Sequence, residues 1–253
     1  MPDTIRIIHC LKDNYAFLIV NPDTGTAILI DAPEAAPILD ALKRESLTLS
    51  AILLTHHHWD HVDGLEALRK AYPAPVYGNK ADAARLPALD HAFAPGDTIL
   101  DGACHVMDAP GHTIGHVAFH FPALDALFSA DSLMTHGCGR LFEGSPQDMA
   151  ATIARFDALP PETRIFSGHD YAQANLDFAA RFAPDPEALK ARQEELDRLA
   201  ASGEPTTGTT LASERLVNPY LRTHLPQVAE AAGLPDASPL AVFTEIRRRK
   251  DNA

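Results

Sequence analysis

The hexapeptide of residues 56–61 carries four imidazoles and one carboxylate directly behind an apolar run. If that run is a buried strand, its end directs His56 and His58 to one side, and the following turn brings Asp60 and His61 nearby. A histidine-rich turn can also be a solvated loop, but nitrogen and oxygen ligands at fixed spacing behind a strand favour a metal centre. We therefore expect this strand end to supply ligands to two adjacent metal ions.

Three further candidate ligands stand at the ends of strand-like runs or in a tight turn downstream. His112 lies in a Pro-Gly-His-Thr turn, Asp131 follows the apolar residues 126–128, and His169 follows residues 164–168. Seven candidates exceed the needs of one ion. The predicted first site is His56, His58 and His112, the predicted second site is Asp60, His61 and His169, and Asp131 is predicted to bridge them.

Imidazole and carboxylate ligands without a thiolate suit zinc best and also accept iron or manganese. Paired ions about 3.5–4 Å apart share one water and lower its pKa towards 7, so hydroxide becomes available at neutral pH. We thus predict two divalent metal ions per chain and metal-assisted hydrolysis, with Asp60 also orienting the hydroxide. A non-catalytic metal-binding protein is the alternative, and it would show metal-dependent folding without turnover.

The signature of residues 55–61, Thr-His-His-His-Trp-Asp-His, resembles that of the metallo-β-lactamase superfamily, whose fold is a four-layered αββα sandwich. Other segments resemble the glyoxalase II (hydroxyacylglutathione hydrolase) family: residues 13–15, 137–144, 168–171, 218–220 and 247–251. This resemblance implies hydrolysis of S-D-lactoylglutathione and related S-2-hydroxyacylglutathiones by the hydroxide of a dinuclear centre. The products are glutathione and D-lactate, in the second step of methylglyoxal detoxification.

The same resemblance implies the residues that bind a glutathione thioester. Arg247 and Lys250 correspond to the family's pair that holds the glycine carboxylate, and Tyr171 is retained as a substrate contact. Arg140 stands where the family usually has Lys, and Phe142 where it usually has Tyr. Loss of the tyrosine hydroxyl removes one hydrogen bond, which costs about 0.5–1.5 kcal/mol and weakens binding without changing the reaction class.

Two other enzyme classes share the histidine signature. Persulfide dioxygenases use one iron ion and oxygen, and they lack a long helical tail such as the one predicted after Tyr171. β-Lactam or lactone hydrolases use a similar metal pair, but neither of their substrates needs the cationic pair near the C-terminus. A mononuclear-iron dioxygenase acting on glutathione persulfide is therefore the main rival to thioester hydrolysis.

Hydrophobic periodicity predicts an α/β (α+β) chain with hairpins at the start and interleaved strands and helices up to about residue 170. From residue 171 onward the spacing predicts helices over 173–182, 186–201, 226–232 and 239–250. We predict a metal-binding catalytic domain over residues 1–170 and a small helical domain over 171–253. Two packed sheets with helices outside fit the pattern, although spacing alone does not exclude a single mixed sheet.

Composition bears on the partners, the cellular location and the cysteines of the protein. The net charge of −13 argues against nucleic-acid or anionic-membrane partners, because phosphate binding needs a positive field. No run of 18 apolar residues is present and the first residues lack a signal-peptide pattern, so we expect a cytoplasmic protein, and a monomer. Cys10, Cys104 and Cys138 are unsuited to a disulfide framework, and Cys138 is expected to be structural. Trp59 is expected to be a packing residue and not a substrate contact.

Overall fold

The computed structural model describes residues 3–183 and 185–253, and packing divides the chain into two units. One unit comprises Met1–Asp108 and Gly115–Leu124, and the other comprises Ala109–Ile114 and Asp125–Ala253. The domain boundary predicted at residue 170 stays a prediction. The two units that packing defines have other bounds. The expected absence of a signal peptide depends on the first residues of the chain. Of these, Met1 and Pro2 lie outside the described residues.

The first unit contains nine strands and three short helices within its described residues. The strands are β1 (Thr4–Cys10), β2 (Asn14–Asn21), β3 (Thr26–Ile30), β4 (Thr48–Leu53), β5 (Val76–Asn79), β6 (His91–Phe93), β7 (Thr98–Ile99), β8 (Cys104–Asp108) and β9 (Val117–Phe121). The helices are α1 (Ala35–Arg44), α2 (Trp59–Val62) and α3 (Leu65–Ala71), with 3-10 turns at Lys80–Asp82 and Pro122–Leu124.

Strands β1 to β6 form one sheet in sequence order. Its first three strands are antiparallel hairpins, whereas β3, β4, β5 and β6 are parallel to one another. Parallel strands end at the same edge of a sheet, so the residues that follow β3 and β4 are brought side by side. Strands β7, β8 and β9 pair antiparallel.

Helix α1 covers this sheet with an apolar stripe. Ile38 and Leu42 are fully buried and belong to the same core cluster as Leu29 of β3 and Ile52 of β4. Each such side chain contributes about 1.5–3 kcal/mol through burial. This core fixes the strand ends that carry the first group of candidate ligands.

The second unit contains five strands and six helices within its described residues. The strands are β10 (Ala126–Ala130), β11 (Leu133–Met134), β12 (Gly137–Cys138), β13 (Arg164–Ser167) and β14 (Thr209–Thr210). The helices are α4 (Pro146–Asp157), α5 (Ala172–Ala179), α6 (Pro186–Ser202), α7 (Leu211–Val217), α8 (Pro226–Ala231) and α9 (Pro239–Asp251), with a 3-10 turn at Pro219–Leu221. In the described part of the chain, no helix has the length and apolar character required to cross a membrane.

Strand β10 runs parallel to β13, and helix α4 lies between them in sequence. Ser145 caps α4 in a reciprocal capping box with Asp148, and Pro146 occupies its first turn. The predicted helices after residue 171 are confirmed as α5, α6, α8 and α9. Helix α7 and the two-residue strand β14, which pairs with β13, were not predicted.

Glu214 of α7 connects the helical segment to the hairpin β11–β12. Its side chain is fully buried and accepts hydrogen bonds from the backbone N–H of His136 at 2.8 Å, Thr209 Oγ1 at 2.7 Å and Asn218 Nδ2 at 3.0 Å. A buried carboxylate needs such partners, since without them its desolvation would be strongly destabilising. The network holds the turn of the hairpin in place.

Candidate metal centre

Asp31 and Thr55 join the ends of the parallel strands β3 and β4. Thr55 donates from its backbone N–H to Asp31 Oδ1 at 2.8 Å and from its hydroxyl to Asp31 Oδ2 at 2.8 Å. Asp31 is buried and has a positive φ of 56°, a conformation that Asp adopts more readily than most residues. The pair fixes the backbone from which the histidine signature starts.

Hydrogen bonds to Thr55 and Asp31 determine which ring nitrogen of His56 and His61 can bind a metal ion. The Thr55 hydroxyl has one hydrogen, which it donates to Asp31, so at 2.9 Å it must accept the N–H of His56 Nδ1. His61 Nδ1 likewise donates to Asp31 Oδ2 at 2.8 Å. In both rings the lone pair is thereby left on Nε2, as a metal ligand requires.

The imidazoles of the first unit form a tight cluster around His56. Ring centroids lie 4.7 Å from His58, 4.2 Å from His61 and 4.7 Å from His116, which is stacked on His56. Asp31 is close enough to His56 and His61 to share an ion with them. Both of its carboxylate oxygens already accept hydrogen bonds, and one of these bonds orients the candidate ligand His61.

Helix α2 begins directly after His58 and carries Asp60 and His61 on its single turn. Asn14 donates its side-chain amide to the Asp60 carbonyl oxygen at 2.9 Å and to Asp60 Oδ2 at 3.2 Å. His57 turns to the buried Asp82, with 3.0 Å between Nδ1 and Oδ2, as expected for a residue that is not a ligand. The expectation for Trp59 is wrong: the ring is 63% exposed because the short helix directs it outward.

In the second unit, Asp131 lies between two imidazoles. Strands β10 and β13 are parallel, so Asp131 and His169, which follow them, meet at one edge. Asp131 Oδ2 is 3.2 Å from His169 Nε2 and 3.3 Å from His112 Nε2. One carboxylate oxygen that faces two ligand nitrogens has the arrangement needed for a bridging ligand.

His112 is oriented by the segment of residues 138–140. Its Nδ1 donates to the carbonyl oxygen of Arg140 at 2.8 Å, which leaves the lone pair on Nε2. Gly139 N donates to Ser132 O at 2.9 Å, and a Cβ at Gly139 would lie far inside 3.0 Å of the Asp131 carbonyl oxygen. Only glycine lets the segment pass this close to both ligands.

Three predicted substrate contacts lie beside the ligands of the second unit. Tyr171 stacks on His169 with 4.9 Å between ring centroids, and Phe142 meets His112 edge-on at 5.3 Å. Both aromatic side chains are exposed, as is Arg140, whose guanidinium lies 6.0 Å from the Phe142 ring. These side chains offer a cation and two aromatic surfaces next to the ligands.

Arg247 and Lys250, which are predicted to hold the glycine carboxylate of glutathione, have different surroundings. Lys250 donates to Ala174 O at 3.0 Å and lies over the Phe178 ring, and burial together with the positive charges of Arg247 and Arg181 lowers its pKa. Arg247 is only 5% exposed. Its substrate role stays a prediction.

Sequence reasoning missed Asp31 and Asp82, and it marked Asn14 only as part of the family-like segment of residues 13–15, without a role. Asp31 follows the apolar strand β3 in the same way that Asp131 follows β10, so the strand-end signal that found Asp131 would also have found it. Asn14 contacts Asp60 across 46 residues and Asp82 contacts His57 across 25 residues, so local spacing does not indicate what either side chain does.

The ligand chemistry of each unit fits divalent metal ions. The first unit contributes His56, His58, His61 and Asp60, and the second contributes His112, Asp131 and His169. All are nitrogen or oxygen donors, and at His56, His61 and His112 hydrogen bonds fix the tautomer that presents Nε2. This set suits zinc, iron or manganese.

Comparison with known proteins defines the class. The metallo-beta-lactamase superfamily matches residues 12–169, more than half of the chain, and the family described as the hydroxyacylglutathione hydrolase C-terminus matches residues 170–253. A hydroxyacylglutathione hydrolase of Jannaschia sp. (strain CCS1) is 53% identical over 250 residues, which are 98% of each chain. The chain belongs to the hydroxyacylglutathione hydrolase family of this superfamily.

Solved structures agree with the assignment of the fold. The crystal structure of BLEG-1 B3 metallo-beta-lactamase has a TM-score of 0.66 at 24% identity, covering 86% of this chain and 99% of that one. That of TTHA1623 in a di-iron-bound form has a TM-score of 0.58 at 30% identity, covering 66% and 91%. The predicted αββα metallo-β-lactamase fold with a helical C-terminal segment is thereby confirmed.

Proposed function

We propose that this protein hydrolyses S-D-lactoylglutathione and related S-2-hydroxyacylglutathiones to glutathione and the free hydroxy acid, using two divalent metal ions. The observation that carries the proposal is Asp131 Oδ2 lying 3.3 Å from His112 Nε2 and 3.2 Å from His169 Nε2. A relative 53% identical over nearly its full length is named hydroxyacylglutathione hydrolase, which supports the substrate class.

The proposed ligand sets are His56, His58 and His112 for one ion and Asp60, His61 and His169 for the other, with Asp131 shared. A relative at 30% identity, TTHA1623, has been crystallised in a di-iron-bound form, which supports two ions. Bound divalent ions would make hydroxide available at neutral pH and polarise the thioester carbonyl. Zinc is the expected metal, and iron or manganese would serve the same donors.

The protein's own side chains supply orientation and binding. Asp60, held by Asn14 at 2.9 and 3.2 Å, orients the nucleophile. Tyr171 and Phe142, which contact the imidazoles of His169 and His112, would offer two exposed aromatic surfaces to the substrate. The leaving thiol has a pKa near 8.5, so it departs as a thiolate without a dedicated general acid.

Cationic side chains favour an anionic tripeptide in a chain of net charge −13. Arg140 is exposed near the ligands of its unit, and Lys250 holds an ammonium at the end of α9. Arg247 would have to exchange its present partners to take the predicted glycine carboxylate. The enzyme is proposed to act as a cytoplasmic monomer, a state that gel filtration would check.

The decisive experiment joins metal analysis of the purified protein to an assay of thiol release from S-D-lactoylglutathione. Two metal ions per chain with rapid thiol release are expected. Oxygen consumption with glutathione persulfide, one iron per chain and no thioester hydrolysis would instead establish the dioxygenase. Metal binding without either activity would indicate a non-catalytic protein.

A further inference from the structure

Arg247 is almost fully buried near the end of α9, and it contacts the backbone of residues 138–139 beside the predicted metal ligands. Its Nη1 donates to the carbonyl oxygen of Cys138 at 2.9 Å and to that of Gly139 at 3.3 Å. Its Nη2 forms an ion pair with Asp251 Oδ1 at 2.9 Å, and the guanidinium lies 5.8 Å from the Tyr220 ring centroid. Most of its polar contacts are thus within the protein.

A buried guanidinium is strongly destabilising unless its N–H groups find acceptors. Here two backbone carbonyls accept from Nη1 and one carboxylate pairs with Nη2, whereas the buried Nε has no hydrogen-bond partner among the described residues. Its Nη1 contacts the successive carbonyls of Cys138 and Gly139 while its Nη2 contacts Asp251, so the planar fork joins this peptide to a carboxylate, whereas an ammonium acts as a point charge. Arg247 therefore fixes the position of this peptide relative to α9.

The segment that Arg247 holds is the one that orients His112. One residue beyond Gly139, the Arg140 carbonyl oxygen accepts the hydrogen of His112 Nδ1 at 2.8 Å. Gly139 itself is pressed against the backbone of Asp131. A continuous series of short contacts within one unit thus leads from Arg247 to the ligands His112 and Asp131.

We infer that Arg247 is a positioning residue for the metal ligand His112, acting through the peptides of residues 138–140. The inference rests on the proposed metal centre, and it adds a positioning function to the predicted substrate role of Arg247. Removal of the guanidinium would let the Arg140 carbonyl shift, so His112 would lose the acceptor that fixes its tautomer and direction. Partners that orient a ligand imidazole typically change metal affinity by about 10–100-fold.

The test compares Arg247→Met, Arg247→Lys and the control Arg248→Met in the full-length protein. Arg248 lies on the same helix, is exposed, and pairs only with Glu245 among the contacts that the structure describes. Zinc affinity of the metal-free proteins is measured by competition with a chromophoric chelator, and kcat and KM are measured on the zinc-loaded enzymes. Circular dichroism and thermal unfolding check that each variant folds.

Arg247→Met is expected to weaken zinc binding by about 10–100-fold and to lower kcat of the zinc-loaded enzyme. Arg247→Lys is expected to fall between Arg247→Met and the wild type, because one ammonium cannot hold the peptide carbonyls and Asp251 together as the guanidinium does. Arg248→Met is expected to match the wild type. If Arg247→Met does not fold, the lysine variant decides on the same measurements.

Wild-type zinc affinity in the Arg247 variants would overturn the inference, and a raised KM with that result would leave Arg247 as a substrate contact only. A thioester that lacks the glycine carboxylate sharpens the distinction, since a positioning role predicts equal losses of kcat for both substrates. Lack of thioesterase activity in the wild type would contradict the proposed function alone, because the zinc titration requires no turnover.

Discussion

The side-chain amide of Asn14 bonds Asp60 twice, to its carbonyl oxygen at 2.9 Å and to its Oδ2 at 3.2 Å. Asn14 stands at the start of β2 and is buried, 46 residues away from its partner in the sequence. An amide that holds both the backbone and the carboxylate of one residue fixes the direction of that carboxylate. Asp60 is therefore oriented by a strand that carries no predicted ligand.

Asn14→Ala should lower kcat by about 10–100-fold with little change in KM, because the orientation of Asp60 is lost while the substrate contacts remain. Asp60→Asn should lower turnover at least as much. Steady-state kinetics with S-D-lactoylglutathione measure both. Asn21→Ala is the control, since Asn21 ends the same strand but only caps the turn at Asp23 and Thr24. Full activity of Asn14→Ala would contradict the orienting role.

Gly139→Ala should destabilise the protein and weaken metal binding together. The added Cβ would collide with the backbone oxygen of Asp131, which cannot rotate away as a side chain could. Overpacking of this kind costs about 1–3 kcal/mol. Thermal unfolding and metal content are the measurements.

Gly102→Ala provides a comparison for that variant. Gly102 has a positive φ of 95° with nothing within 4 Å of an added Cβ, so only backbone strain opposes the substitution. A stability loss of about 1–2 kcal/mol with full metal content is expected. Equal metal content in both variants would show that the segment of residues 138–140 does not govern the ligands.

Lys250 should make substrate binding sensitive to alkaline pH. Burial and the positive charges of Arg247 and Arg181 lower its pKa, so the folded protein loses this ammonium at a lower pH than an exposed lysine would. If Lys250 anchors the glutathione carboxylate, KM rises as the pH passes through that lowered pKa. Lys250→Met should show the higher KM at all pH values and no such rise. An unchanged pH profile in the variant would assign the effect to another group.

The three cysteines should resist thiol reagents in the native protein. Burial raises the pKa of all three thiols, in the case of Cys10 to about 12. At pH 8, Ellman's reagent should release almost no thionitrobenzoate from the native chain and three equivalents in denaturant. Unfolded thiols ionise near pH 8.5, so folding stability should decrease as the pH rises above that value. One rapid equivalent from Cys138 would argue against its structural role.

Local sequence patterns were sufficient where an element has a strong period or follows a buried strand. Helix α6 was predicted with nearly its observed bounds, and most of the seven candidate ligands were found because they follow strand-like runs. Helix α2 was missed because four residues are too few to show a period. Helix α7 was missed because Glu214, polar in the sequence, is buried by partners from distant segments.

Contacts between residues far apart in the sequence also limit how much of the site the sequence can predict. Arg247 reads as the solvated end of a basic helix or as a substrate contact, yet its carbonyl partners lie 109 and 108 residues away. Asn14 reaches Asp60 across 46 residues. Such pairings depend on the tertiary fold, so periodicity and local spacing carry no information about them.

The outward position of Trp59 gives the protein a built-in optical reporter. It is the single tryptophan of the chain, it stands between His58 and Asp60, and it is largely exposed to solvent. Indole emission excited apart from tyrosine therefore arises from one position, adjacent to two proposed ligands. Quenching or wavelength shifts of this fluorescence would follow cation loading in real time, without any label.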